Sequence, residues 1–372
     1  MFNSTCLLSQ QGTASSHATP RSRRSTRAPT LLLLLLLVDL ALSKAASPFS
    51  IRPSDTPGSF DVLVDGDTWF AAGRPASIRE GGRTLSAGTP DLVLNSTLEE
   101  IGGADALGRY SKWSWVFASA ATGARFETSV RVYHDAIAFE QRFPQGLNGT
   151  SANDIDKLIT SFPSFAMPSE GAPRRGFLQY SKDMMGSHYR TGEWNAESSG
   201  VGSGVAGTGP LCVFSEDFAN SVVLSAFSNF MAASHYYDIR TTGPPASAAA
   251  TLSLGLMGGI ESLPAGYSVE FLMVHSVRGP NENMVRWGDK LLGRYGKSRT
   301  GAWERDLTLQ TLGYSTDNGG YYYYNTLGKG MTYEETMIAV SDYAKAAGIP
   351  YKWWLADSWW YYKGVGNGVK TW

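Results

Sequence analysis

The chain has 372 residues, 42% of them hydrophobic and 17% charged. This balance excludes a disordered or polytopic protein and leaves room for two or three domains. A formal net charge of −1 gives no basic footprint for nucleic acid, and no DNA or RNA partner is expected.

Residues 1–45 read as a leader. Arg21, Arg23, Arg24 and Arg27 precede the apolar run Leu31 to Val38, and Ser43-Lys44-Ala45 offers small residues for signal cleavage before Ala46. Asp39 interrupts the run, which ends at Leu42, short of the roughly 20 apolar residues that a membrane span needs. The expectation is a secretory signal peptide cleaved near Ala45-Ala46, with no stable membrane span in the mature chain. An organellar transit peptide, or a start upstream of the true methionine, would also account for the Arg-rich part. Without the leader, 27 basic and 32 acidic residues remain, and of the two cysteines, Cys6 and Cys212, only Cys212 is left. The mature domains must therefore hold by packing rather than by a disulfide. The sequons Asn95-Ser96-Thr97 and Asn148-Gly149-Thr150 fit a secreted protein glycosylated at Asn95 and Asn148.

Residues 46–279 read as an antiparallel β-sandwich. Phe60, Val62 and Val64 alternate up to Asp65-Gly66, and Trp69 and Phe70 come after it, the pattern of a hairpin. A second hairpin runs through Phe126, Val130 and Val132, turns at His134-Asp135 and returns through Ile137 and Phe139. Ser221 to Phe227 and Tyr267 to Ser276 continue the series, the latter with Tyr267, Val269, Phe271 and Met273 on one face. Little chemistry is visible in this stretch. Gly202 to Gly207 matches a dinucleotide fingerprint by letter, but it neither follows a strand nor opens a helix, so it reads as a flexible loop. His134, His188, His235 and His275 lack metal-ligand spacing, and no serine nucleophile elbow occurs. No metal and no cofactor is expected.

Residues 280–305 read as a linker helix and a polar connector. Met284, Trp287, Leu291 and Tyr295 form one stripe of a helix from Asn281 to Tyr295, expected to pack between the sandwich and the C-terminal domain, and Gly296 ends it.

Residues 306–372 read as the start of a TIM-type (β/α) barrel: a strand from Leu307 to Gly313, a loop from Tyr314 to Met331, a helix, and a second strand running into Trp353-Trp354-Leu355-Ala356-Asp357-Ser358-Trp359-Trp360. Thr332 and Glu335 have the spacing of a capping box. Met337, Val340, Ala344 and Ala347 then recur at helical spacing, and Gly348 with Pro350 makes a stop. A strand, helix and strand in that order make a βαβ unit. Its strand ends and their loops, where barrel enzymes build their sites, hold Asp317, Asn318, Tyr321, Tyr322, Tyr323 and Tyr324, then Asp357, Trp359, Trp360 and Lys363. Five of the eleven tryptophans lie in the last twenty residues, so the enrichment is local. Aromatic runs are commonly packing residues. Beside strand-end acids they also suit a carbohydrate, whose rings need aromatic faces and whose hydroxyls need carboxylate or amide acceptors.

This order of parts resembles the α-galactosidase and α-glucosidase clan of retaining glycoside hydrolases. In that clan the second barrel strand ends in an Asp-Asp-Gly-Trp or similar motif. This chain has Ala356-Asp357-Ser358-Trp359, with one acid and the glycine absent. The resemblance implies a sandwich followed by a barrel, a carbohydrate substrate bound by Asp357, and catalytic carboxylates on later strands than the two found here, so that the chain reads as a fragment without activity of its own. The alternative is a non-catalytic carbohydrate-binding protein, secreted or at the cell surface.

Overall fold

A computed structural model of the chain describes residues 47–169, 171–181, 188–196, 201–207, 209–240, 249–301, 303–317, 320–321, 325–357 and 360–372. Residues 47–372 form one compact unit. Its bulk is a sandwich of two antiparallel sheets. The larger runs, edge to edge, Tyr189–Glu193, Arg175–Tyr180, Leu211–Ser215, Ser221–Ala226, Tyr267–Ser276, Ala136–Phe143, Arg125–Val132, Gly108–Ser119 and Leu92–Asp105. The smaller runs Phe49–Pro53, Phe60–Val64, Asp67–Ala72, Ser164–Ala166, Ala249–Leu256 and Ala233–Arg240.

Turn chemistry sets the first hairpin. Asp65 and Gly66 both take positive φ, 52° and 89°, the backbone of a two-residue turn whose twist matches its strands. Val64 therefore faces Asp67 across the pair, which turns Phe60, Val62 and Val64 inward together. The second hairpin pairs Val132 with Ile137 across the His134-Asp135 turn. Aromatic residues from both sheets meet between the layers. Phe60 stacks on Phe139 at 5.9 Å, and Phe165 meets Phe139 edge-on at 6.1 Å. All three are at most 2% exposed, and each such burial contributes about 1.5–3 kcal/mol.

The strand Tyr267–Ser276 is buried on both faces, not on one. Val269, Phe271 and Met273 enter the core between the sheets. Leu272 and Val274 face outward and are covered by Trp287 and Leu291 of the linker helix, which spans Gly279–Arg294. The apolar stripe read from the sequence thus packs on the outer face of the larger sheet. Asn283, fully buried, fixes the docking: its Nδ2 donates to the Ser221 carbonyl at 2.9 Å and to the Val274 carbonyl at 2.9 Å.

Two local readings are corrected. Gly202 to Gly207 is not a flexible loop. Gln179 accepts from the Gly202 amide at 2.5 Å and donates to the Gly207 carbonyl at 2.7 Å, and a 3-10 turn forms at Val205–Gly207. The alternation from Leu307 onward is not a strand. Asp306 accepts from the Thr308 and Leu309 amides at 2.8 and 3.3 Å, and this cap starts a short helix, Leu307–Gln310. The strand begins only at Gly313 and runs to Ser315. Among the described residues, no helix is long and apolar enough to cross a membrane.

Candidate functional site at the ends of two parallel strands

The strands Gly313–Ser315 and Trp353–Leu355 pair in parallel, with Gly313 opposite Trp353 and Ser315 opposite Leu355. The helix Tyr333–Ala346 connects them. Its capping box is complete: Thr332 accepts from the Glu335 amide at 3.2 Å, and the Glu335 carboxylate accepts from the Thr332 amide at 2.8 Å. The Thr332 amide and, at 3.0 Å, the Thr332 hydroxyl both donate to the Glu335 carboxylate and hold it below its ordinary range. Gly313 lies so close to its neighbour that a Cβ there would enter the Trp353 indole.

Asp317 and Asp357 each lie two residues past the paired Ser315 and Leu355, at the carboxyl ends of adjacent strands, and both are exposed. Thr316, only 3% exposed, ties the two chain segments together. Its hydroxyl donates to the Leu355 carbonyl at 2.9 Å and accepts from the Asp357 amide at 2.9 Å, while its own amide donates to Leu355 at 3.1 Å. The parallel pairing is thereby extended beyond the strands, and the backbone carrying Asp357 is fixed beside the one carrying Asp317.

Aromatic rings pack along the same strand pair. Tyr314 lies 5.0 Å from Trp354 and 5.9 Å from Tyr351, ring centre to ring centre. The Tyr314 hydroxyl accepts from the Tyr321 amide at 3.1 Å, and Tyr333 donates to the Tyr321 carbonyl at 2.9 Å, so Tyr321 is held by its backbone at the rim. Burial raises the pKa of Tyr333, keeping it a donor. Trp360 donates from Nε1 to the Ala356 carbonyl at 3.2 Å and packs against Tyr361 and Trp372. Lys363 lies farther along, exposed, in a short hairpin of Tyr362–Lys363 with Val369–Thr371.

Of the residues singled out from the sequence, Asp317, Tyr321, Asp357 and Trp360 are thus gathered at or beside the strand ends, and Lys363 is displaced onto the hairpin. Asn318, Tyr322, Tyr323, Tyr324 and Trp359 lie outside the described residues, as does the leader with its cleavage point. Thr316, Tyr314 and Tyr333 were not singled out. A threonine between a strand and an acid carries no mark of its role until the partner strand is in place. Asn95 is exposed near the start of the edge strand Leu92–Asp105, at a bulge, and Asn148 is exposed in the short strand Leu147–Asn148.

Two of the four histidines outside the leader are buried in the sandwich. His235 is buried and meets Gln179 at 2.8 Å and the Gly202 carbonyl at 3.1 Å. His275 meets Asn220 at 3.2 Å. Cys212 is buried, and burial pushes its thiol up to about 12, so it is an unreactive core residue. Among the described residues no group of His, Cys, Asp and Glu is arranged to hold a metal ion.

No protein-family model matches the chain, and no curated protein matches it. Among solved structures it is similar to the α-N-acetylgalactosaminidase NagBb of Bifidobacterium bifidum, at 13% identity and a TM-score of 0.43, over 68% of this chain and 38% of that one. It is also similar to the GH36 α-galactosidase AgaA of Geobacillus stearothermophilus in its raffinose complex, at 14% identity and a TM-score of 0.45, over 86% and 42%. A Glycoside Hydrolase Family 97 enzyme from Pseudoalteromonas sp. strain K8 in complex with panose is similar at 11% identity and a TM-score of 0.47, over 83% and 53%. The chain thus spans 38 to 53% of the length of these three structures.

Proposed function

We propose that the strand-end site binds carbohydrate, and that the chain is the sandwich and first βαβ unit of a glycoside hydrolase of the retaining α-galactosidase or α-glucosidase type. The observation that carries this reading is the placement of Asp317 and Asp357 at equal offsets past two parallel strands, clipped by Thr316, with the backbone of Tyr321 held by the Tyr314 and Tyr333 hydroxyls. Exposed carboxylates accept from sugar hydroxyls, and aromatic rings cover the apolar face of a sugar. In this reading the parallel pair is the first two strands of a (β/α) barrel, and both acids serve binding rather than bond cleavage. A retaining mechanism needs two carboxyls about 5–5.5 Å apart as nucleophile and acid/base, and those roles are assigned to no residue here. The reading includes entry into the secretory pathway through residues 1–45 and glycans on the exposed Asn95 and Asn148.

Calorimetric titration of the chain with methyl α-galactoside and methyl α-glucoside tests it. Binding is expected, and Asp357→Asn is expected to weaken it by about ten-fold or more, because a hydrogen bond to a charged acceptor contributes about 1.5–3 kcal/mol. Binding that Asp357→Asn leaves unchanged would move the site elsewhere.

A further inference from the structure

Gln179 on the larger sheet and His235 on the smaller meet between the layers, and together they hold the segment 201–207. Both are buried, at 0% and 6% exposure. The Gly202 amide can only donate and the Gly207 carbonyl can only accept, so the Gln179 side chain has one orientation: Oε1 accepts from Gly202 at 2.5 Å, and Nε2 donates to Gly207 at 2.7 Å. The second hydrogen on that nitrogen is left for His235 Nε2, 2.8 Å away. A ring nitrogen that faces a donor must accept, which makes His235 a neutral imidazole with its proton on Nδ1. Protonation puts a hydrogen on Nε2 and sets donor against donor. The new N–H can satisfy itself only by turning to the Gly202 carbonyl at 3.1 Å, and Gln179 then loses its partner.

The held segment covers a sheet edge. Among the described residues, Ala233–Arg240 is the outer strand of the smaller sheet and pairs only with Ala249–Leu256. The segment takes up its free side: the Gly204 amide donates to the His235 carbonyl at 2.9 Å, and the Tyr237 amide donates to the Ser203 hydroxyl at 2.9 Å. An uncovered edge strand presents unpaired amides and carbonyls to any other chain. The elements packed around the imidazole bring few charges. Segment 201–207 and Ala249–Leu256 carry none. Arg175, on the Gln179 strand, lies over the Trp69 ring at 4.5 Å, and Asp238, on the strand of His235 itself, is paired with Arg74. On the neighbouring turn, Asp154 accepts from the Asp156 amide at 3.0 Å and Asp156 from the Val205 amide at 3.2 Å. Burial lowers the His235 pKa to about 4, and only the Gly202 carbonyl opposes it.

We propose that His235 is an acid-operated latch: protonation of its ring breaks the clasp with Gln179, releases segment 201–207 and uncovers the edge strand Ala233–Arg240. A released imidazole takes up its proton near pH 6.5, before the clasped one does, so the latch is shut above about pH 6.5 and opens as pH falls toward 4. Between pH 7.5 and pH 5 this difference raises the released fraction about 30-fold. Hydrogen–deuterium exchange of the full chain at the two pH values, corrected for the intrinsic pH dependence of exchange, tests it. Peptides covering 201–207 are expected to exchange faster than those covering 267–276, which marks a local release, and to lose protection about 30-fold at pH 5. A smaller loss is expected over 233–240, where only the outward amides are uncovered. His235→Gln should remove the pH step, Asp156→Asn should keep it, and Gln179→Leu should leave 201–207 released already at pH 7.5. Imidazole nitrogen-15 shifts of the unaltered chain should show the proton on Nδ1 at pH 7.5. A proton on Nε2, equal protection of 201–207 at both pH values, exchange of 201–207 only in step with 267–276, or a pH step that survives His235→Gln would overturn the proposal.

Discussion

At the scale of single residues, burial decides what each titratable group can do. The His235 imidazole is held down to about 4 by burial, against a weak opposing pull from the Gly202 carbonyl, whereas an unfolded chain protonates near 6.5. The unfolded state therefore takes up the proton first. Stability from this residue is full above about pH 6.5 and is lost as pH falls toward 4, on the order of 3 kcal/mol. His275 is lowered in the same direction, also by burial. Urea midpoints at pH 7 and pH 4.5 should differ less in His235→Gln than in the parent chain, and an unchanged difference would mean that the imidazole is not buried neutral. The residue scale is also where the sequence was least legible. Asp317 and Asp357 stand out as acids beside aromatics, but Thr316, which joins their backbones, looks like any other threonine. The meeting of Gln179 and His235 depends on packing between strands of different sheets, far apart in the chain, which no local pattern records.

At the scale of elements, the sequence speaks clearly where backbone chemistry leaves one solution. Asp65-Gly66 permits a tight hairpin turn, and the Thr332 and Glu335 capping box marks the start of Tyr333–Ala346. It misleads where two local preferences compete. Leu307 and Leu309 alternate as in a strand, but Asp306 caps the amides after it, and the helix is formed instead. The stripe on the linker helix was legible, but the surface it covers was not, because an apolar run such as Tyr267–Ser276 does not say which of its faces meets a helix. Two substitutions measure these elements. Thr332→Ala should cost about 1 kcal/mol through loss of the cap. Asn283→Ala should cost more, about 2 kcal/mol, since it removes both bonds that pin the helix to the Ser221 and Val274 carbonyls. Urea denaturation gives both values, and an Asn283→Ala chain as stable as its parent would show that the helix is docked by its other contacts, Trp287 on Ser225 and Lys290 on Asp135 among them.

At the scale of the whole molecule, a β-sandwich with a phenylalanine-rich interior carries a helix on its outer face, and the chain then enters a parallel βαβ unit. Alternation and turn signals made the sandwich legible, since each strand needs an inward face. Strand order was not legible, because it depends on long-range pairing. The central claim is that a sugar sits at the ends of the two parallel strands. Hydrogen–deuterium exchange of the full chain, with and without saturating methyl α-galactoside or methyl α-glucoside, tests it most directly. Protection is expected in peptides covering 313–321 and 353–363. Protection confined to peptides from the sandwich, or no protection at saturating ligand, would contradict it.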